Sequence, residues 1–428
     1  TLQIIIGSYE RVLHGFTASI DLPTAEGPQD IKFSDTFLFH AHSSAIRCLA
    51  LSPLSPSNEG SYDQKITLAT GSTDERINLY HLSTTPPSPK DHIAQPTLGN
   101  TSILENPKNR ELGALVHHSS GISALYFPTR SKLLSAAEDN TIAITRTRDW
   151  TALSTIKVPM PRAQGRPSGD TAAPGELPAG VNDFAVHPSM KLMVSVGKGE
   201  KCMRLWNLVT GKKAGVLTFS RDILQEIGEG KWGSGEGRKV EWDPHGNEFA
   251  IAFERGVVIF GMDSKPKSRI LVRPLTKIHQ IHYLPIQEGT SEVMIAVSTE
   301  DGRILFYSTT PQDNEREDEV SIKDAKFLGE LGGKTAGVLS RFKDFELLSV
   351  NGQGSADLGL IAVTGSSDGI VRLWRVNMSE NGTNDVTRNG NQSSVQISEL
   401  LGMYETPNRI TCLKAFVMIP ASKEEAEE

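Results

Sequence analysis

Residues 360–376 read LIAVTGSSDGIVRLWRV. Two runs of alternating apolar residues flank the tight polar stretch Ser366-Ser367-Asp368-Gly369. Alternation with a period of two is the pattern of a strand, and a Ser/Asp/Gly turn of this length joins antiparallel neighbours. The same unit recurs upstream as TLATGSTDERINLYHL (67–82), KLLSAAEDNTIAI (132–144), KLMVSVGKGEKCMRLWNL (191–208), EFAIAFERGVVIF (248–260) and VMIAVSTEDGRILFY (293–307). A shorter alternating strand, often ending in Pro, precedes each: IRCLALSP (46–53), ISALYFP (122–128), VNDFAVHP (181–188), VEWDP (240–244), IHQIHYLP (278–285) and VLSRF (338–342).

Recurrence of one supersecondary unit is the signature of a repeat architecture. Each pair supplies strands a, b and c of a four-stranded blade, and complete pairs number six. A seventh is divided between the chain ends, with strand a as ITCLKAF (410–416) and strands b and c as IIIGSYERVLHGF (4–16). Sequential blades would leave two open sheet edges, which invite aggregation; sharing one blade between the termini closes the ring. The expected fold is therefore all-β, a seven-bladed WD-repeat β-propeller spanning residues 1–428 as one domain. Seven blades in 428 residues average about 61 each, against roughly 40–45 for a WD repeat. The excess falls in polar insertions near 83–110, 159–179, 219–236, 309–326 and 378–395, read as loops.

Composition limits the function. Mean hydropathy is −0.27 and the net charge is −7, so no global basic field favours bulk nucleic-acid binding. The three cysteines, Cys48, Cys202 and Cys412, form no CxxC pair and are expected as reduced, buried thiols. No stretch approaches the length of a membrane helix.

WD repeats commonly bury a His–Asp–Ser/Thr–Trp hydrogen-bond network. Here the candidates are His42, Ser72 and Asp74, then His118 and Asp139, then Ser366, Asp368 and Trp374, with Trp206 in the third blade. His40 and His42 share a strand face, but His42 is better explained by the network than by a metal. His279 and His282 should point to opposite faces, and the adjacent His117 and His118 should diverge. Gly-rich GEGKWG (228–233) matches GxGxxG but lacks the strand–helix context of a dinucleotide site. GELGGKT (329–335) is one residue short of a Walker A loop. HExxH does not occur, and the literal GxSxG match GSSDG (365–369) is the tight turn between two alternating strands rather than a strand-to-helix elbow. No catalytic, cofactor or metal site is expected.

What remains is surface. In a propeller the b–c turns and d–a loops converge on one face around the central channel. The candidate partner-facing residues there are Tyr9, Glu10, Thr73, Arg76, Glu138, Arg255, Glu300 and Ser367, with Trp232 as an aromatic anchor amid glycines.

Several stretches are more specific. GSYERVLHGF (7–16), FHAHSSAI (39–46), GALVHHSSGI (113–122), MRLWNLVTGK (203–212) and VEWDPHGNEF (240–249) resemble the p21-activated-kinase-interacting WD-repeat proteins. The resemblance implies a non-enzymatic scaffold in the nucleolus, with pre-60S ribosomal particles, their assembly proteins, ribosomal proteins and pre-rRNA as partners. It also implies a second role, inhibition of a p21-activated kinase.

Overall fold

The computed structural model describes residues 1–20, 31–54, 64–86, 103–161, 179–230, 233–285, 292–311, 322–350, 359–378 and 395–419. They form seven four-stranded antiparallel sheets, the blades of a β-propeller. The strands of each blade are lettered a to d from the channel outward. Strands a of neighbouring blades pack side by side around the channel.

Blade 7 is shared between the chain ends. Its strand a is Ile410–Val417, followed in the sheet by Leu2–Ser8, Val12–Ile20 and Ile31–His40. Leu2 pairs with Val417, Ile4 with Ala415 and Gly7 with Cys412. The alternation in Leu2–Ser8 then divides the side chains between two neighbours. Ile4 and Ile6 join Ile361, Val363 and Leu373 of blade 6, while Ile5 joins Ile46, Leu49 and Leu68 of blade 1. Hydrophobic clusters of this kind fill every one of the seven inter-blade spaces. No blade has a private core, so each needs both neighbours.

Two irregularities repeat. The c–d register shifts by a residue in all seven blades, for example at Gly15/Phe16, Leu79/Tyr80 and Leu373/Trp374. Such bulges increase local twist, which a blade needs to turn from channel to rim. Close approach also recurs: a Cβ on Gly7 would lie 2.7 Å from both Cys412 Sγ and Ile46 Cγ2, and one on Gly71 the same distance from Cys48 Sγ and Ile122 Cγ2. The glycines in strand b admit an isoleucine from the next blade. Cys48 and Cys412 are thus packing residues on equivalent strands, and burial pushes the Cys48 thiol up to about 12 and that of Cys412 well above its ordinary value. Cys202 is only half-buried and Cys48 also keeps some exposure, so of the three expected to be buried only Cys412 is fully so.

Two further readings need correction. Strand a of blade 6 is Phe342–Val350, so VLSRF contributes only its last residue. The residues before it are taken up by a 3-10 turn at Lys334–Ala336 and by Gly337, whose φ of 76° ends that turn. The 219–236 insertion is not simply a loop. Its described part holds a short helix, Arg221–Glu226, whose Ser220 N-cap accepts from Ile223 N–H. Phe219, Leu224 and Ile227 enter the core between blades 3 and 4. All five insertions lie partly outside the described residues.

Ile5 is fully buried at the seam where the ring closes. Truncation of such a side chain costs about 2–5 kcal/mol, so Ile5→Ala should lower the denaturant midpoint markedly while leaving the transition cooperative. Deletion of residues 1–20 should abolish the single transition altogether. Wild-type unfolding of that truncation, followed by circular dichroism, would refute the closure.

Candidate interaction face

The b–c turns are built and held by hydrogen bonds that begin inside the blades. In blade 1, His42 from the d–a loop places Nδ1 3.1 Å from both carboxylate oxygens of Asp74 and Nε2 2.7 Å from Thr70 Oγ1. Nδ1 must donate to the carboxylate, so Nε2 accepts from the Thr70 hydroxyl. Ser72 is not the hydroxyl of this network: its Oγ donates to the carbonyls of Ser44 and Ala45. The shift by two residues keeps the same strand face, which explains why sequence alone cannot tell them apart. Blade 6 repeats the lesson, because Trp374 Nε1 donates to Thr364 Oγ1 at 3.1 Å while Ser366 bonds Asp368 at 2.6 Å.

In blade 2, His118 Nδ1 lies 3.2 Å from Asp139 and Nε2 2.8 Å from Ser135 Oγ. His117 does not diverge from it. Its Nε2 approaches the same Ser135 Oγ at 3.1 Å, and the two rings lie 4.5 Å apart. Both sit in a loop rather than a strand, so strand alternation does not apply to them.

Blades 3, 5 and 6 do without the histidine. There an arginine of strand c holds the turn acid: Arg204 with Glu200, Arg303 with Asp301, and Arg372 with Asp368. The turn carboxylate needs a hydrogen-bond donor, and either element can bring one. Trp206 Nε1 still donates to Ser195 Oγ at 2.8 Å in blade 3.

Backbone latches then fix each turn against the start of strand a. Tyr9 N–H donates to Arg409 C=O, Thr73 to Ala45, Glu138 to Gly121, Lys198 to Gly180, Glu300 to Lys277 and Ser367 to Arg341. Five of the candidate partner-facing residues therefore occupy equivalent positions in a single ring, and the reading of the repeats missed Lys198 as the sixth. Glu10 accepts from Arg409 N–H, and Arg76 N–H caps Asp74. Arg255 lies in the blade 4 turn, where Glu254 C=O accepts from Ile278 N–H. Trp232 lies outside the described residues.

Cations at or just before strand a, and one from a turn, face these turns. Arg47 of strand a and the turn residue Lys198 reach Glu138 at 2.8 and 2.5 Å, and Lys277 and Arg341, each just before a strand a, reach Glu254 at 2.9 Å and Glu300 at 3.3 Å. Burial raises the Glu138 carboxyl, but its bonds to Lys198 and Arg47 bring it below its ordinary value. Such partly exposed pairs add only about 0–1 kcal/mol each to stability. Their effect is on what the face presents: alternating charge, with exposed apolar tips at Tyr9 (61 % exposed), Val116, Leu275 and Leu339 (82 %).

Deeper in the channel, His282 Nδ1 meets Glu241 at 3.2 Å and Lys414 pairs with Glu346. Burial lowers the His282 pKa, and the Glu241 charge more than restores it. His279, three residues earlier, is pushed down to about 4 by burial and by the Lys343 charge. Among the described residues no group of three or more His, Cys, Asp and Glu is arranged to hold a metal. The raised Cys48 and Cys412 thiols are poor nucleophiles.

This arrangement defines a WD-repeat propeller whose turns gather on one face. The profile of the family "WD domain, G-beta repeat" matches residues 33–81 and 109–145. The chain is 26% identical over 427 residues to "p21-activated protein kinase-interacting protein 1-like" of Danio rerio, covering 100% of this chain and 83% of the relative. It is 27% identical over 406 residues to Protein MAK11 of Saccharomyces cerevisiae, with coverage of 88% and 78%. Shk1 kinase-binding protein 15 of Schizosaccharomyces pombe is 26% identical over 219 residues, 51% of this chain and 47% of that one. The homologues of this chain thus include vertebrate proteins named p21-activated protein kinase-interacting protein 1-like, together with yeast MAK11.

The buried histidines carry a pH signature. Burial holds His42 and His118 below the ordinary 6.5, outweighing the pull of Asp74 and Asp139. Each therefore takes up a proton on unfolding once the pH drops below 6.5, and the stability it contributes above that value is lost as pH falls toward its folded pKa. Asp74 and Asp139 are raised by burial but net lowered by their hydrogen bonds, so their contribution is lost only below 3.8. The melting temperature should fall between about pH 7 and about pH 5. The double variant His42→Gln, His118→Gln should be less stable yet show a flatter slope. A slope unchanged in that variant would remove these histidines as its source.

Proposed function

We propose that this chain is a non-enzymatic scaffold in nucleolar assembly of the large (60S) ribosomal subunit, binding pre-ribosomal proteins and pre-rRNA. The similarity that runs through the whole chain carries this reading, through the role that the family resemblance implies. The geometry supports a scaffold. One face gathers turns from all the blades on a rigid ring, with alternating charge and exposed apolar tips that suit several protein partners. Local RNA contact is supported where Arg341, Lys343 and Arg409 gather beside Tyr9. Burial and the two arginine charges lower the Lys343 pKa, and the Arg409 guanidinium stands 5.8 Å over the Tyr9 ring.

A second reading is binding to a p21-activated kinase, favoured by the words "kinase-interacting" and "kinase-binding" in the names of relatives. The two make different demands. A tagged chain should co-sediment with pre-60S particles on a gradient and localise to nucleoli, and the double variant Tyr9→Ala, Arg409→Glu should weaken that association. An exclusively ribosome-free, cytoplasmic chain would eliminate the first reading. Saturating purified chain should leave kinase activity unchanged if the second is wrong.

A further inference from the structure

On the same face, at the junction of blades 4 and 5, a cavity of about 410 Å³ opens over the outer strands of blade 5. Three loops enclose it. The d–a loop after blade 4 brings Arg273, the b–c turn of blade 5 brings Asp301 and Arg303, and the GELGGKT stretch brings Gly333, Lys334 and Thr335. GELGGKT is no nucleotide loop: it is the end of strand d of blade 5, Ala325–Gly332, and the turn that follows. Gly332 and Gly333 have φ of 82° and 76°, and a Cβ on Gly333 would lie 2.8 Å from Arg303 Cγ. The glycine pair lets the loop close down on Arg303.

Arg303 forms the floor and is ion-paired with Asp301 and Glu330, while its buried Nη2 has no hydrogen-bond partner among the described residues. Its Nε donates to Asp301 at 2.8 Å, and its Nη1 donates to Arg273 C=O at 3.2 Å and to Glu330 at 3.4 Å. Glu330 also accepts from Gln396 Nε2 at 3.2 Å. Arg303 thus shares its one positive charge between the two acids of the cavity, Asp301 and Glu330. Arg273 and Lys334 differ. Their exposed side chains make no hydrogen bond or ion pair among the described residues, whereas Arg47, Arg238, Lys277 and Arg341 on this face are all paired. Tyr307 and Phe327, edge to face at 5.4 Å, line the aromatic wall.

We propose that this cavity binds one phosphorylated aromatic side chain of a protein partner, its phosphate between Arg273 and Lys334 and its ring against Tyr307 and Phe327. A phosphate near neutral pH carries about −1.5 to −2 charges and pairs best with cations that have no other partner. The volume suits one side chain. A nucleic-acid strand fits poorly, because beyond Arg273 and Lys334 the only other cation lining the cavity is Arg303, already ion-paired with Asp301 and Glu330, so a following phosphate finds no second pair. The proposal deepens the reading of this face as a partner surface, but its test requires no partner.

Phenyl phosphate titrated into the full chain by calorimetry should bind saturably. Arg273→Glu and Lys334→Glu alter exposed side chains, so both variants should keep the wild-type melting curve and bind at least about tenfold more weakly, the loss of one charge-assisted contact. Inorganic phosphate should bind about tenfold more weakly than phenyl phosphate, since it offers nothing to the wall. Absence of saturable binding, equal affinity in the folded variants, or equal affinity for inorganic phosphate would each overturn the proposal. So would a short single-stranded RNA that binds in place of phenyl phosphate and is lost in the same variants. A chain that binds phenyl phosphate but never co-sediments with pre-60S particles keeps this site and loses the assembly role.

Discussion

The pairing of Leu2–Ser8 with Ile410–Val417 is the contact on which the ring depends. It joins residues about four hundred positions apart in sequence, and the entropy of closing such a loop grows only slowly with its length. The return is large because the closing strand is not peripheral. Ile4, Ile5 and Ile6 are buried against two blades at once, so the seam completes the cores on both sides. A propeller opened there would expose two sheet edges and the apolar faces of blades 6 and 1 together.

Closure also explains the polar chemistry of the face. Once strands a stand side by side around the channel, the residue just inside each strand lies next to turns from neighbouring blades. Arg47 of blade 1 can then reach Glu138 of blade 2, which also holds Lys198 of blade 3. Within blades, the turn acids are held by whichever donor the repeat retains, His42 and His118 from the d–a loops or Arg204, Arg303 and Arg372 from strand c. Degenerate repeats thus keep one turn geometry by different means. An acidic chain can still present local cations: among the described residues Arg273 and Lys334 make no ion pair, whereas Arg47, Arg238, Lys277 and Arg341 do.

Much of the fold was legible because it is written in short-range pattern. Alternation in 360–376 and its relatives locates strands b and c, and the split repeat at 4–16 and 410–416 locates the closure. The misreadings have local causes. Thr70 and Ser72 lie on the same strand face two residues apart, as do Thr364 and Ser366, and only coordinates show which hydroxyl meets the imidazole or indole. VLSRF has the composition of a strand, but Gly337 and the turn before it hold most of it outside one. Arg221–Glu226 is too short to impose a helical period, and its place is set by packing of Leu224 and Ile227.

The sequence by itself determined the strand pattern, the number of blades and the shared seventh sheet, because a period of two and a polar turn are properties of neighbouring residues. Tertiary structure alone decided which charges meet across blades, that His117 and His118 share one hydroxyl, and that a near-miss glycine loop walls a cavity whose Arg273 and Lys334 make no ion pair among the described residues. Those facts depend on distances between residues far apart in the chain, and such distances exist only once the ring has closed.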